Sequence, residues 1–250
     1  MNRPLIIAHR GANRFAMENT LPAFKKAAMM GCDGVEFDVR LTQDNEVVVF
    51  HDESLKRIFG IDENVRDISF ERLKRITEGK IPRLRDALNV VKDMKFINIE
   101  LKIDGKFSGI LEERVLKITN EFDINKKTLY SSFNPLSIGI IKRLNRDAQT
   151  GFLFDGGAFY KELGALISSF LRCQSVNPEY RILNDFMMMH YREWGLKVYV
   201  WTVDKKADII EMMRLGVDGI ITNRPEIALK IRVPRRESKS SELNPEFWEE

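Results

Sequence analysis

The fold of this chain is decided by residues 33–52, which read DGVEFDVRLTQDNEVVVFHD. Apolar and acidic residues alternate from Val35 to Val39, so the pattern predicts a β-strand with Glu36 and Asp38 on one face. Two carboxylates on one face of an interior strand are unfavourable unless a cation or hydrogen bonds compensate their charge. This strand therefore marks a candidate reactive site.

A second run of β-branched residues follows a polar turn and ends at His51. The linker of about seven residues is too short for the crossover helix that joins parallel strands, so we expect residues 47–51 to run antiparallel to the first strand. With the turn centred between Asp44 and Asn45, Asp38 lies opposite His51 and both side chains point to the same face. The sequence thus predicts an imidazole beside the carboxylate pair.

Short apolar runs alternate with amphipathic patterns over the rest of the chain. The runs predict strands at residues 5–9, 34–39, 47–51, 96–102, 128–131, 150–154, 174–177, 198–203 and 219–222. The amphipathic patterns predict helices between most of them, for example at residues 21–30, 84–92, 108–121, 135–145, 182–194 and 205–215. Setting aside the antiparallel arm leaves a regular alternation of strand and helix. It predicts an α/β fold, a (β/α)8 TIM barrel with a β-hairpin arm and a small insertion after the second strand.

The domain organisation follows from the same patterns. We expect one barrel domain at residues 1–232, in which residues 52–81 form a compact insertion with an irregular excursion at 64–80. The polar residues 233–250 are expected to form a loosely packed tail. The sequence shows no signal-peptide hydrophobic region and no apolar stretch long enough to span a membrane, so it predicts a cytoplasmic protein.

The composition is that of a globular protein, with 44% hydrophobic and 31% charged residues in a chain of 250. The formal net charge of +3 is small and argues against nucleic acid or an anionic membrane as the main partner. Cys32 and Cys173 are far apart in the sequence and suggest neither a disulfide framework nor a zinc cluster. We expect both to be buried thiols.

Chemically active side chains cluster at the carboxyl ends of the first three barrel strands, which is where TIM barrels carry their active sites. With His51 on the arm, the candidates are two imidazoles, three carboxylates, one guanidinium and one ammonium: His9, His51, Glu36, Asp38, Glu100, Arg10 and Lys102. Three converging carboxylates require a cation, and an all-oxygen ligand set suits Mg²⁺, Ca²⁺ or Mn²⁺. The guanidinium and the ammonium indicate an anionic substrate such as a phosphate. The imidazoles can act as general base and general acid near neutral pH.

These residue types also have structural interpretations. Glu36 and Asp38 alone could form a salt-bridged ladder on the surface, and a single histidine at a strand end is often structural. The convergence of the whole set on adjacent strands favours the chemical interpretation. His190 is different, because it lies in the apolar 182–194 pattern beside three methionines and is expected to pack in the core or on the helix surface.

The ordered motifs of this chain resemble those of the glycerophosphodiester phosphodiesterases. They are HRG at 9–11, ENT at 18–20, VEFDV at 35–39, VVFHD at 48–52, IPxL at 81–84, NIELK at 98–102, SSFNP at 131–135, VWTV at 200–203 and DGIITNRP at 218–225. The resemblance spans nearly the whole chain. It implies a TIM barrel that uses a divalent cation to hydrolyse glycerophosphodiesters to glycerol 3-phosphate and an alcohol.

The resemblance also implies a role for each matching residue. His9 and His51 would be the acid–base pair. The metal ligands would be Glu36, Asp38 and Glu100. Arg10 and Lys102 would bind the phosphate. Trp201 would form a flat apolar wall for the glycerol carbons. Glu18 and Asn19 would fix the first loop rather than touch the substrate.

Two positions depart from the family pattern. Met17 stands where the family usually has proline, which changes the stiffness of the loop rather than the chemistry. Asn223 stands in TNRP where the family often has aspartate, which removes a negative charge and can alter the headgroup preference.

Alternatives remain open within and outside this reaction. The nucleophile is either water or the 2-hydroxyl of the glycerol, which would give a cyclic intermediate. The same barrel could have phospholipase D-like or lysophospholipase D-like activity on lipids, although the sequence shows no strongly amphipathic interfacial helix to supply the contact. A non-catalytic barrel that binds a phosphate ligand is the alternative from another class, and the presence of every candidate residue argues against it.

Overall fold

Eight parallel strands close into a barrel in the computed structural model, which describes residues 3–103, 109–156 and 158–232, without the side chains of 158–163. A ninth strand, β3, runs antiparallel to β2. The strands in chain order are β1 (Leu5–His9), β2 (Gly34–Leu41), β3 (Val47–Val49), β4 (Phe96–Leu101), β5 (Thr128–Ser132), β6 (Gln149–Phe154), β7 (Ser175–Pro178), β8 (Lys197–Val200) and β9 (Gly219–Thr222). The strands follow one another around the ring in chain order apart from β3, and the pairing of β9 with β1 closes it. The predicted TIM barrel is confirmed. The predicted tail at 233–250 lies outside the described residues.

Helices cover the outside of the barrel and also occur in the segment 52–81. They are α1 (Leu21–Met29), α2 (Lys56–Phe59), α3 (Phe70–Ile76), α4 (Leu84–Val91), α5 (Ile110–Glu121), α6 (Pro135–Leu144), α7 (Ala158–Phe170), α8 (Asp185–Glu193), α9 (Lys206–Leu215) and α10 (Pro225–Arg232). Helices α7 and α10 complete the predicted alternation of strand and helix, whereas α2 and α3 lie within residues 52–81 and were not predicted. Helix α8 begins later than predicted, because the side chain of Asn184 caps it by accepting a hydrogen bond from the backbone N–H of Met187 (2.9 Å). Among the described helices, none is both long and apolar enough to cross a membrane.

Strand β3 is the predicted antiparallel arm, but its register differs from the prediction by one residue. Val39 pairs with Val49, and the backbone N–H of Phe50 donates to the backbone oxygen of Asp38 (3.0 Å). The predicted pairing of Asp38 with His51 is therefore wrong. The hairpin has a three-residue loop whose last residue, Asn45, adopts the left-handed conformation (φ 60°), a common loop that centres the turn on a residue rather than between two.

Residues 52–81 contain α2, a 3₁₀ turn at Val65–Asp67, and α3. The excursion predicted to be irregular, 64–80, is thus partly helical. The apolar residues of this segment pack with Val48 and Phe50 of the hairpin: Leu55, Val65, Ile68, Phe70, Leu73 and Ile81. This packing holds the segment against the strand that leads to His51.

The inside of the barrel changes in character along its axis. At the amino end of the strands, Ile7, Leu129, Tyr199 and Ile221 pack against one another and close the barrel. Because side chains alternate along a strand, His9 faces the same interior two residues after Ile7. The interior also holds small polar side chains that pair with one another, Ser131 with Asn98 and Ser175 with Asn177 (2.8 Å each), whereas the charged groups lie at the carboxyl mouth.

Candidate active site

The end of β1 brings His9 and Arg10 to the acidic face of β2. His9 is the register partner of Glu36, and its Nε2 lies 3.8 Å from Oε2 of that residue. Arg10 adopts the left-handed conformation (φ 55°), and its backbone N–H donates to the same Oε2 (3.0 Å). Its side chain reaches the next carboxylate, with Nε 3.3 Å from Oδ2 of Asp38. One strand end thus places an imidazole and a guanidinium against the two carboxylates of the next strand.

Glu36, Asp38 and Glu100 meet at the mouth of the barrel. Asp38 and Glu100 are register partners on β2 and β4, and one carboxylate oxygen from each of the three residues lies within 4.8 Å of the others. Glu36 and Asp38 are only 2% and 1% exposed. Oε1 of Glu36 and Oδ1 of Asp38 are buried and accept no hydrogen bond from any described residue. Buried oxygens with free lone pairs, from carboxylates alone, fit a hard divalent cation.

The pKa values of the three carboxyl groups move apart. Burial raises the pKa of Glu36 well above its ordinary value, and the charges of Asp38 and Glu100 raise it further. Burial also raises the pKa of Glu100, to about 7. Burial acts in the same direction on Asp38, but Lys102 and Arg10 stabilise its carboxylate and hold its pKa below the ordinary value. Three carboxyl groups this close together cannot all ionise without a cost in free energy. A bound cation would stabilise the ionised forms.

Lys102 lies directly after β4 and is paired with two of these carboxylates. Its Nζ donates to Oε1 of Glu100 and lies 3.2 Å from Oδ1 of Asp38. Burial opposes the charged form, but the two carboxylates outweigh it and raise the pKa of Lys102. The ammonium therefore stays charged at neutral pH, beside the place where the acidic oxygens converge.

His51 follows β3 in a bend rather than in the predicted strand. Its backbone oxygen accepts hydrogen bonds from Nε and Nη2 of Arg40 (2.8 and 2.6 Å), and its Nδ1 lies 2.6 Å from Oδ1 of Asp52. Burial lowers the pKa of His51, and the nearby carboxylate of Asp38 opposes this shift. His51 thus lies near Asp38 without being its cross-strand partner.

A chain of ion pairs joins the two histidine-bearing segments through Arg57 on α2. Nε of Arg57 donates to Oδ2 of Asp52 (2.5 Å), and Nη2 donates to Oε1 of Glu18 (2.6 Å). Glu18 in turn accepts from Nη1 of Arg10 (2.9 Å). The insertion is thereby tied to the carboxylate that contacts His51 and to the guanidinium at the end of β1. Sequence reasoning missed Arg57, because no local pattern distinguishes it from other surface arginines.

Trp201 comes directly after β8 and is held at the barrel mouth. Its Nε1 donates to the backbone oxygen of Asn177 (2.7 Å), and its ring lies 5.4 Å from that of Phe133 in an edge-to-face arrangement. Phe133 is 42% exposed, and its ring lies 5.9 Å from Nζ of Lys102. The two rings form an apolar wall next to the charged groups. Phe133 was not predicted, although the SSFNP motif that contains it was a signal.

Asn19 contacts a site residue directly, in addition to its predicted place in the first loop. It is 2% exposed, and its Nδ2 donates to Oδ2 of Asp38 (2.9 Å). Its left-handed backbone (φ 58°) is one that asparagine adopts more readily than most residues. Asn19 thus fixes the carboxylate of Asp38 through Oδ2, while Lys102 lies beside Oδ1.

The sequence model of the glycerophosphoryl diester phosphodiesterase family matches residues 9–227. The chain belongs to this family. Membership makes it a phosphoric diester hydrolase, which confirms the class of enzyme that the sequence predicted. The matched residues run from His9, at the end of β1, into helix α10, so they include every predicted site residue.

This chain matches relatives over almost their entire length. A glycerophosphodiester phosphodiesterase from Caldanaerobacter subterraneus is 32% identical over 240 residues, which are 92% of this chain and 98% of the relative. The crystal structure of a glycerophosphodiester phosphodiesterase from Thermotoga maritima is 32% identical, with a TM-score of 0.79 over 92% of this chain and 99% of that one. An Oleispira antarctica phosphodiesterase, solved with the product sn-glycerol-3-phosphate, is 24% identical and shares the fold, with a TM-score of 0.80 over 91% of this chain and 96% of that one.

Proposed function

We propose that this enzyme hydrolyses glycerophosphodiesters to glycerol 3-phosphate and an alcohol, with a divalent cation held by Glu36, Asp38 and Glu100. The observation that carries the proposal is the meeting of these carboxylates within 4.8 Å of one another, beside two imidazoles and two fixed positive charges. The named relative from Caldanaerobacter and the product complex of the Oleispira enzyme support this substrate class.

The acidic oxygens would hold Mg²⁺, Ca²⁺ or Mn²⁺, the ions that prefer oxygen ligands. When bound, such an ion supplies Lewis-acid stabilisation of the negative charge on the phosphate. Arg10 and Lys102 would bind the remaining phosphate oxygens, since both are charged and border the carboxylates. The ion pairs of Arg10 with Asp38 and Glu18 hold its guanidinium beside the carboxylates.

The two histidines would exchange protons with the substrate. Nδ1 is already engaged in each, with Oδ1 of Asn223 in His9 (2.7 Å) and with Oδ1 of Asp52 in His51 (2.6 Å). Burial and the neighbouring Arg10 lower the pKa of His9 to about 4, so its imidazole is neutral at pH 7. One imidazole would take a proton from the attacking hydroxyl, and the other would give a proton to the leaving alkoxide. The hydroxyl belongs either to water or to the 2-position of the glycerol.

The apolar wall would orient the glycerol. Trp201 and Phe133 present ring faces and edges beside the charged groups, where three carbon atoms joined to a phosphate can lie flat against them. Orientation of this kind raises the rate by holding the reacting atoms in position.

The test is release of glycerol 3-phosphate from glycerophosphocholine, measured by coupling to glycerol-3-phosphate dehydrogenase, in EDTA and with Mg²⁺, Ca²⁺ or Mn²⁺ added. We expect turnover with at least one of these ions and none in EDTA. Turnover that persists in EDTA would remove the cation from the mechanism. Release of phosphocholine in place of glycerol 3-phosphate would assign the cleavage to the other ester bond.

The same reactions separate the two alternatives when choline is measured as well. A lysophospholipase D-like enzyme would release choline from lysophosphatidylcholine faster than from glycerophosphocholine. A non-catalytic barrel would bind a phosphate compound without turnover under any of these conditions. A cytoplasmic location, and a small molecule rather than nucleic acid as the partner, stay predictions of the sequence.

A further inference from the structure

The side-chain amide of Asn223 is held in one orientation by Asp204. The backbone N–H of Asn223 donates to Oδ1 of Asp204, and its Nδ2 donates to Oδ2, each over 2.8 Å. The hydroxyl of Thr222 also donates to Oδ1 of Asp204 (3.1 Å). A carboxylate only accepts hydrogen bonds, so the nitrogen of the amide must face Asp204 and the oxygen must face away.

The amide oxygen of Asn223 faces His9. Oδ1 lies 2.7 Å from Nδ1 of His9, and Nδ2 of Asn13 donates to the same oxygen. Asn13 also donates to the backbone oxygen of His9 (3.0 Å), which ties the two residues together. Because an amide oxygen only accepts hydrogen bonds, Nδ1 of His9 must carry the hydrogen of this contact. The lone pair of the neutral imidazole is then on Nε2, which lies 3.8 Å from Oε2 of Glu36.

We propose that Asn223 and Asp204 are positioning residues that lock His9 in its Nδ1–H tautomer, so that Nε2 alone gains and loses a proton during the reaction. The tautomer is a property of the resting protein, whereas its effect on turnover rests on the function proposed above. Asp204 is as necessary as Asn223, because without it the amide could rotate and present its nitrogen to His9.

The same geometry gives a physical reason for asparagine at a position where the family pattern often has aspartate. An aspartate at position 223 would place two carboxylates in contact, since Nδ2 of Asn223 is 2.8 Å from Oδ2 of Asp204. In this chain the negative charge is on Asp204, and the neutral amide of Asn223 lies between it and the imidazole of His9. The amide transmits the orienting effect of the charge.

The tautomer can be measured directly by NMR of the protein labelled with ¹⁵N-histidine, in the resting state at a pH where the imidazoles are neutral. The chain has only 3 histidines, so each signal can be assigned by substitution of one residue at a time. We expect Nδ1 of His9 to be protonated and Nε2 to be unprotonated in the wild type. Asp204→Asn, which keeps the shape but removes the charge, and Asn223→Ala should both yield a mixture of tautomers.

The kinetic readout uses the same variants. Asn223→Ala and Asp204→Asn should lower kcat about 10- to 100-fold, as is usual for partners that orient a site residue, while KM stays near the wild-type value. Asn184→Ala is the matched control, because it removes an asparagine that only caps α8, and it should leave both kcat and the His9 tautomer unchanged.

A wild-type His9 protonated at Nε2 would overturn the proposal, whatever the substrate proves to be. Unchanged tautomer populations in both variants would also overturn it. A wild type that has the expected tautomer but does not turn over glycerophosphodiesters would instead contradict the proposed function. Should Asn223→Ala fail to fold, the isosteric Asp204→Asn variant decides the question alone.

Discussion

Substitution of Glu100 by glutamine should stabilise the metal-free enzyme at alkaline pH and remove its stabilisation by divalent cations. Glu100 is one of three buried carboxylates that converge at the barrel mouth. Burial raises its pKa from 4.5 to about 7. A neutral amide of the same shape removes a charge that the folded protein, without a cation, holds at a cost.

The size of the effect follows from the pKa shift. A change from 4.5 to about 7 corresponds to about 3 kcal/mol, because one pKa unit is worth about 1.4 kcal/mol. The folded protein holds this proton more tightly than the unfolded chain does. The destabilisation is therefore absent below pH 4.5, grows between pH 4.5 and about 7, and is complete above that. Above pH 7 the variant should gain up to about 3 kcal/mol over the wild type, or about 6–12 °C in Tm for a protein of this size.

The contact with Lys102 opposes the shift, and the pKa of about 7 already includes its effect. Nζ of Lys102 donates to Oε1 of Glu100, but it also lies 3.2 Å from Oδ1 of Asp38. The ammonium therefore keeps one carboxylate partner in the variant. The retained pairing with Asp38 avoids the cost of about 1.5–3 kcal/mol that an unreplaced hydrogen bond to a charged group would add.

The assay is thermal unfolding in EDTA at about pH 5 and at about pH 8, followed by the same measurement with Mg²⁺ in excess. The wild type and Glu100→Gln should unfold at similar temperatures at the lower pH, and the variant should be the more stable at the higher pH. Added Mg²⁺ should stabilise the wild type by about 2.7 kcal/mol at 100 times its Kd, and the variant by much less. Glu113→Gln, at an exposed position on α5, is the control and should change neither value.

A Glu100→Gln variant that is less stable than the wild type at about pH 8 in EDTA would refute the reasoning. It would mean that Lys102 and its neighbours already compensate the charge of Glu100 within the protein. A variant that keeps the full stabilisation by Mg²⁺ would remove Glu100 from the ligand set.

Further changes test the histidines, the insertion and the thiols. His9→Ala and His51→Ala should each lower kcat at least about 100-fold in the glycerophosphocholine assay, the usual contribution of an acid–base group. Arg57→Ala should lower kcat about 10-fold or more in the same assay, because the carboxylate that contacts His51 loses its anchor. Burial raises the pKa of the Cys32 and Cys173 thiols to about 12 and about 11. Neither thiol should therefore react with DTNB at about pH 8 while the protein is folded.

Each of these changes has a matched control. His190→Ala removes an imidazole that pairs with Glu193 on the surface of α8 (3.3 Å) and should keep full activity. Arg72→Ala breaks a surface pair with Glu63 in the same insertion and should leave kcat unchanged. The thiols should react once the protein is unfolded in guanidinium. Near-normal turnover in either histidine variant, equal losses in the two arginine variants, or rapid labelling of the folded protein would each contradict the corresponding prediction.

Much of the site could be predicted from the sequence because strand geometry is local. Alternation along β2 turns Glu36 and Asp38 inward, and the same alternation along β4 turns Glu100 inward. Parallel strands in a barrel end at the same mouth, so carboxylates near the ends of neighbouring strands converge without any knowledge of the packing. The eight barrel strands could be found for the same reason.

The hairpin register could not be predicted in this way. The spacing of the two strands is compatible with a loop of two, three or four residues, and the backbone conformation of Asn45 selects three. A shift of one residue changes which side chains share a face, so Phe50 rather than His51 pairs with Asp38. The bend after β3 then returns His51 to the vicinity of Asp38, through contacts with Arg40.

The sequence by itself determined the barrel, the inward-facing carboxylates and the two cations beside them, since the direction of a side chain on a strand depends on the nearest residues only. Only the tertiary structure decided what holds each imidazole. Asn223 with Asp204 and Asp52 with Arg57 reach the histidines from segments whose positions depend on loop geometry and on the packing of the insertion. His9 and Asn223 are far apart in the chain, and no periodic pattern in the sequence encodes the distance between them. Asp52 and Arg57 are close to His51 in the sequence, but the bend at His51 and the packing of the insertion decide their contacts.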